Sequence, residues 1–173
     1  MEIIKTERLV LRTLEESDWD GLCKILQDEE VMYAYEGAFD AQEVRNWLEK
    51  QWTRYREDGF GLWCVTEKDT GTMVGQCGIT YQEWDGKRVP EIGYLFQKAY
   101  WHRGYATEAA IACREYAFHT LGFTEVYSII RDTNTASRKV AERNGMKEVG
   151  RLVKHYRGVE MPHVVYCVKC NRS

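Results

Sequence analysis

Two features of this 173-residue chain combine residue types and spacing in a way that could do chemistry. The first is the run Tyr100-Trp101-His102-Arg103-Gly104-Tyr105-Ala106-Thr107-Glu108-Ala109. It follows a strand-like segment at 89–96 and leads into Ala109, Ala110, Cys113, Ala117, Phe118 and Leu121, which recur at helical steps. A strand, a short loop with a glycine and a helix start can together cradle a phosphate. The loop N–H groups converge there, and the first helical turn offers unpaired donors at its positive end. Gly104 lets the backbone approach a ligand closely. The loop is not a P-loop, because Tyr105 follows the glycine where Lys-Ser or Lys-Thr is required. Nor is it a dinucleotide fingerprint, which needs three spaced glycines. Taken by itself it reads equally as an ordinary strand-to-helix connection. The second feature is Glu91, a carboxylate between Pro90 and Ile92 in an otherwise apolar strand. Buried there, it would titrate above its usual range; at a sheet edge it would face solvent.

The elements that must position these groups alternate between strand and helix. Residues 7–12 read as a half-buried strand, followed by a helix capped by Ser17-Asp18 and running to about 27. Asp40 caps a second helix in which Val44, Trp47, Leu48 and Trp52 keep helical spacing. Strands follow at 60–66, 72–81 and 89–96, with a hairpin turn at Asp85-Gly86. The helix from about 104 ends near Gly122, and a strand occupies 126–131. A short helix runs from Asn134 to Gly145, and two strands follow at 147–156 and 164–169. This pattern predicts an α/β chain of the α+β type with a mixed, largely antiparallel central sheet flanked by helices. It forms a single domain over 1–173, and the unit at 89–131 is a crossover if its strands are parallel.

Composition narrows the function. Hydrophobic residues make up 44%, with six Trp, eleven Tyr and five Phe, enough to build a core. A net charge of −3 argues against nucleic acid as a partner. No apolar run has the length of a signal peptide core or a membrane span, so a cytoplasmic protein with no membrane partner is expected. Cys23, Cys64, Cys77 and Cys113 are scattered through periodic segments as buried thiols. Cys167 and Cys170 form one Cys-x-x-Cys with no second pair, and no metal is expected.

Three segments then occur in order. They are Thr6-Glu7-Arg8-Leu9-Val10-Leu11-Arg12; Glu91-Ile92-Gly93-Tyr94 with Tyr100-Trp101-x-x-Gly104-Tyr105-Ala106-Thr107-Glu108-Ala109; and Asn134-Thr135-Ala136-Ser137 with Asn144-Gly145-Met146. Together they resemble the GNAT superfamily of acetyl-CoA-dependent N-acetyltransferases. Within it they are similar to the RimJ/RimL branch, which includes ribosomal-protein N-terminal acetyltransferases. One departure is Trp101, which stands where the wider pattern begins its phosphate loop with Gln or Arg. Because that grip uses backbone N–H groups, the loop's role is little affected.

The resemblance implies acetyl-CoA as acyl donor, a primary amine as acceptor and direct attack in a ternary complex. Such a reaction must deprotonate the amine, stabilise an oxyanion and protonate a departing thiolate. It implies Glu91 as a general base acting through water. The usual tyrosine acid is replaced by Ala141, and Ser137 matches the serine proposed as acid in this branch; a helix-capping role for Ser137 stays open. Asn134 would hold the pantetheine arm, the backbone of Tyr94, Leu95 and Phe96 would pair with that arm, and Ser137 would lie against it. His102, Arg103, Gly104, Tyr105, Ala106 and Thr107 would wrap the pyrophosphate. Glu29, Glu30, Glu36 and Asp40 beside Tyr33 and Tyr35 suggest either a site for a cationic amine or a solvated charged loop. A monomer or homodimer is expected. The alternative function is a non-catalytic acyl-CoA-binding sensor or scaffold.

Overall fold

The structure, a computed structural model, describes residues 1–171. Eight strands form one sheet: β1 (Glu2–Lys5), β2 (Leu9–Arg12), β3 (Leu62–Glu67), β4 (Met73–Trp84), β5 (Lys87–Phe96), β6 (Glu125–Arg131), β7 (Lys147–Tyr156) and β8 (Val159–Lys169). They lie in the order β1-β2-β3-β4-β5-β6-β8-β7, and every neighbouring pair is antiparallel except β5 with β6. Four α-helices pack on this sheet: α1 (Trp19–Leu26), α2 (Ala41–Glu57), α3 (Tyr105–His119) and α4 (Thr135–Arg143). The mixed, mostly antiparallel sheet is therefore as expected, and the crossover β5–α3–β6 is its parallel step.

Both faces of the sheet are covered. Trp63 and Val65 of β3 point into a cluster with Ala109, Ala110, Cys113 and Ala117 of α3, while Cys64 between them faces α1 and α2. A strand covered on both sides reads as an unbroken apolar run, as 62–65 does. The buried stripe of α3 is made of small residues, so the helix axis lies close to the strands. On the other face, Leu22, Ile25 and Leu26 meet Val44 and Leu48, each fully buried, at about 1.5–3 kcal/mol of transfer free energy apiece.

Local chemistry sets the element ends. The Asp40 carboxylate accepts from Glu43 N–H at 2.8 Å and the Glu43 carboxylate accepts from Asp40 N–H at 3.1 Å, a complete capping box for α2. Asp85 and Gly86 both have positive φ, as a two-residue hairpin turn requires. Some boundaries differ from expectation. The strand expected at 7–12 is β2, and a further strand, β1, precedes it and pairs with it. Helix α1 begins at Trp19, directly after Ser17-Asp18 as expected, but the N-cap residue Asp18 makes no side-chain capping bond, because its carboxylate accepts from Arg12 at 2.7 Å and from Glu15 N–H at 2.8 Å. Strand β8 begins at Val159 instead of 164 and contains Pro162. Pro162 is tolerated because it pairs only with Val153 of β7 and lies just outside the β6 pairing, which starts at His163.

Candidate active site

Strands β5 and β6 run parallel but meet in the ladder only at Glu91 and Tyr127. The Ser128 hydroxyl donates to Ile92 O at 2.8 Å, and beyond that point the strands part. Among the described residues, the β6-facing edge of β5 from Gly93 onward has no partner strand. A cleft of about 510 Å³ opens at this divergence. Its walls include Glu91, Tyr94 and Leu95 of β5, Ile129 of β6, and Asn134 and Ser137 at the start of α4.

Glu91 stands at the apex, half-buried in the cleft wall. Its carboxylate accepts from Ile129 N–H at 2.6 Å. Burial pushes the carboxyl above its ordinary range, while the Lys154 charge, the Ile129 N–H and the Arg54 charge oppose this without cancelling it. The group is thus a carboxylate held in place by backbone, with its proton affinity increased by its surroundings.

Asn134 is the N-cap of α4, and its side-chain oxygen accepts from Ser137 N–H at 3.2 Å. Ser137 therefore does not cap with its own hydroxyl; its backbone is the group being capped. Its carbonyl accepts from the Tyr94 hydroxyl at 2.7 Å, which ties β5 to α4 across the cleft. The Ser137 hydroxyl lines the cleft and has no hydrogen-bond partner among the described residues. Phe96 is different: its ring is buried against Gly75, where an added Cβ would lie 2.5 Å from the ring, so only its backbone can serve a ligand.

The loop after β5 lies outside the cleft walls. His102 has φ of 63° and Gly104, the N-cap of α3, has φ of 78°. No side chain caps α3, so its first-turn N–H groups are left for another acceptor. The loop is braced from behind. Glu108 accepts from the Thr6 hydroxyl at 2.6 Å, Arg8 N–H at 3.0 Å and Arg8 Nε at 2.8 Å. Arg8 Nη1 in turn donates to Arg103 O at 2.9 Å. The Tyr105 hydroxyl donates to Glu67 at 2.6 Å, so this side chain anchors the loop to β3. In the sequence Arg8 and Glu108 stand in separate motifs, and their separation of 100 residues hides the pair.

The far end of the cleft departs from the acidic surface suggested by Glu29, Glu30, Glu36 and Asp40. Glu30 pairs with Lys98 at 2.5 Å, Glu36 pairs with Arg131 at 2.9 Å, and Asp40 is the α2 cap. None of these three side chains lines the cleft. Its charged walls are cationic instead: Arg54 and Lys154 are half-buried beyond Glu91, and Lys50 stands at the rim. Tyr35 forms the aromatic wall, with ring centroids 5.8 Å from Trp47 and 5.7 Å from Tyr156. Among the described residues, no group of His, Cys, Asp or Glu could hold a metal ion, and no helix is long and apolar enough to cross a membrane.

Comparison with known proteins agrees with this architecture. The pattern of the family described as Acetyltransferase (GNAT) domain matches residues 8–147. The uncharacterized protein YkkB of Bacillus subtilis (strain 168) is 40% identical over 144 residues, which span 82% of this chain and 83% of YkkB. The uncharacterized N-acetyltransferase YnaD of the same organism is 29% identical over 148 residues, covering 85% of this chain and 84% of its own. A crystal structure of a GNAT-family acetyltransferase from Bacillus anthracis superposes with a TM-score of 0.82 at 28% identity, covering 98% of both chains.

Proposed function

Because the chain belongs to the GNAT acetyltransferase family, we propose that it moves an acetyl group from acetyl-CoA to a primary amine, with Glu91 as general base and Ser137 as acid. The observation that carries this reading is the position of Glu91, a half-buried carboxylate with a raised proton affinity at the apex of the cleft. Features of the chain fit acetyl-CoA. The open edge of β5 can pair with an amide-bearing arm, and the uncapped first turn of α3 can accept a pyrophosphate. Acetyl-CoA supplies the acetyl group as a thioester. Tyr94, Leu95 and Phe96 would hold its arm through their backbone, and Asn134 through the amide NH2, since the amide oxygen already caps α4. His102, Arg103, Gly104, Tyr105, Ala106 and Thr107 would take the phosphates by their N–H groups.

Glu91 receives the amine proton through one or two waters. Its raised affinity brings it closer to the amine it must deprotonate, and general-base catalysis of this kind contributes roughly 10²–10⁴-fold. Ser137, whose hydroxyl has no competing partner, hands a proton to the departing sulfur. Segment similarity supports placing the chain beside the RimJ/RimL branch, with a protein N-terminus or a small amine as acceptor. Residues 1–173 act as one catalytic unit in this reading, since β7 and β8 complete the sheet.

The test is thiol release from acetyl-CoA against a panel of amines and peptides, with products weighed for the gain of one acetyl group. Turnover with at least one acceptor class is expected. Firm CoA binding with no turnover on any of them would replace this reading with an acyl-CoA-binding module.

A further inference from the structure

Around Glu91 the cleft holds more positive than negative charge. Arg54 projects from the last turn of α2, Lys50 from one turn earlier, and Lys154 from β7 on the opposite wall. Among the described residues, none of the three has a carboxylate within ion-pair distance. Arg131, the other cation in the walls, is neutralised by Glu36 and also donates to Tyr33 O at 2.7 Å. Gln51 is fully buried behind Arg54, and its oxygen accepts from Arg54 Nη1 at 3.3 Å and from Leu62 N–H at 3.0 Å. Arg54 is thus held from behind by a neutral group. Burial lowers the proton affinity of Lys50, and the neighbouring Arg54 and Lys154 charges lower it further. Burial likewise disfavours the Arg54 charge. Arg54 and Lys154 are half-buried and Lys50 is exposed at the rim; Glu91 and Asp58 favour the Arg54 charge only from beyond ion-pair distance, so a bound anion would lower the cost of holding these cations together.

An acceptor amine that enters the cleft from this end would reach Glu91 between these cations. A plain alkylammonium would be repelled by three of them and attracted by one carboxylate. An amine that also carries a carboxylate meets complementary charge at both ends. We infer that the acceptor is a carboxylate-bearing amine whose carboxylate is bound by Arg54, Lys154 and Lys50 while its amino group faces Glu91. This inference rests on the acetyltransferase reading and names its acceptor class. The bidentate fork of Arg54 suits a carboxylate, and Lys154 and Lys50 add point charges. The Tyr35, Trp47 and Tyr156 rings supply an apolar wall for the rest of the molecule. The same cations favour the neutral amine over the ammonium, which assists the proton transfer to Glu91.

The experiment compares paired acceptors that differ in the carboxylate alone, at about pH 9 so that amine protonation matters little. One arm uses α-amino acids against their α-amides. The other uses C-terminally amidated tripeptides beginning with Glu or Asp against those beginning with Gln or Asn. The carboxylate member of one arm should be favoured by about tenfold or more in kcat/KM, and the arm that responds identifies the source. Lys154→Met and Arg54→Met should each reduce that preference severalfold, Lys50→Met less, and the triple variant should abolish it. CoA affinity serves as the folding control and should be unchanged in all of them. Equal rates for both members, or a preference that survives the triple variant, would overturn the inference and leave acetyl transfer standing. Should no acceptor turn over, calorimetry of the same carboxylates with the CoA-loaded protein separates the two ideas. Binding lost in the triple variant keeps the anion site and removes the catalytic reading; no binding in the parent protein removes both.

Discussion

The two ends of the site are built from different materials. At the α3 end, the surface proposed to meet the phosphates is backbone: a loop with positive φ at His102 and Gly104, and an uncapped helix turn. Side chains there work from behind, with Arg8, Glu108 and Glu67 gripping the loop. At the other end, the surface is side chain: Glu91, Arg54, Lys154 and three aromatic rings drawn from separate elements. A backbone cradle recognises a feature common to every substrate and tolerates changes in side chains. A side-chain wall selects one acceptor among many and can be rewritten one residue at a time. The contrast divides the labour of the site into a constant half and a variable half.

The sharpest way to break this division is at its meeting point. Glu91→Gln should lower kcat by roughly 10²-fold or more near neutral pH while leaving CoA affinity nearly intact. Because burial raises the Glu91 carboxyl, activity of the parent should fall as pH drops through that raised value. The groups facing Glu91 are the cations Lys154 and Arg54, the phenols Tyr35 and Tyr94, and the Ile129 N–H. Stability runs the other way. A carboxyl with a raised folded pKa gives its full stability below its unfolded value and loses it as pH rises through the folded one. Glu91→Gln should therefore melt higher than the parent at about pH 8 and equal to it below about pH 4. A variant with parental activity across this range would remove Glu91 from catalysis.

The cradle end should fail in binding rather than in turnover. Gly104→Val forces a β-branched residue to a φ of 78°, costing about 1–2 kcal/mol in strain, and its Cβ would sit 3.4 Å from Arg8 Nη2. CoA affinity measured by calorimetry should drop about tenfold or more. Unchanged affinity in a folded variant would move the phosphate site elsewhere.

Ser137→Ala probes the junction between the halves. Its hydroxyl holds no structural bond, so thermal stability should change little. A thiol with a pKa near 8.5 already leaves fairly well, so kcat should fall on the order of tenfold with little change in the KM for acetyl-CoA. Lost CoA affinity with kcat preserved would make Ser137 a holding group instead. The smallest effect is expected from Glu108→Gln, which weakens three bonds behind the loop without touching its ligand face. A severalfold loss of CoA affinity at unchanged kcat would mark it as a positioning residue. A pure drop in melting temperature would reduce it to packing.

This division also explains what could be read from the sequence. The cradle is contiguous from Tyr100 to Ala109, so its strand–loop–helix signature survives as a string. Glu91 was visible because a carboxylate is conspicuous in an apolar strand. The wall opposite was not visible. Lys50 and Arg54 look like the polar face of an amphipathic helix, and Lys154 like an exposed strand residue a hundred positions later. The same blindness made Glu30 and Glu36 look available, because Lys98 and Arg131, which pair with them, lie far along the chain. Strand β1 escaped notice because four residues carry too little alternation. Pro162 hid the first half of β8, since proline argues against a strand unless the pairing beside it is absent.

Strand β6 has a further consequence for how the protein comes into being. It joins β5 in the ladder at one position but pairs with β8 along its whole length, from Glu125 to Arg131. Strand β8 therefore supplies most of the ladder that supports β6, while the Ser128–Ile92 and Ile129–Glu91 hydrogen bonds fix only the apex of the gap between β5 and β6. During synthesis, the segments carrying Glu91 and Ser137 leave the ribosome before β8, so the cleft they line gains its full support only after β8 has emerged. A nascent chain still lacking β8 carries these groups while β6 lacks its main partner, so the cleft is the last part of the fold to gain its full support.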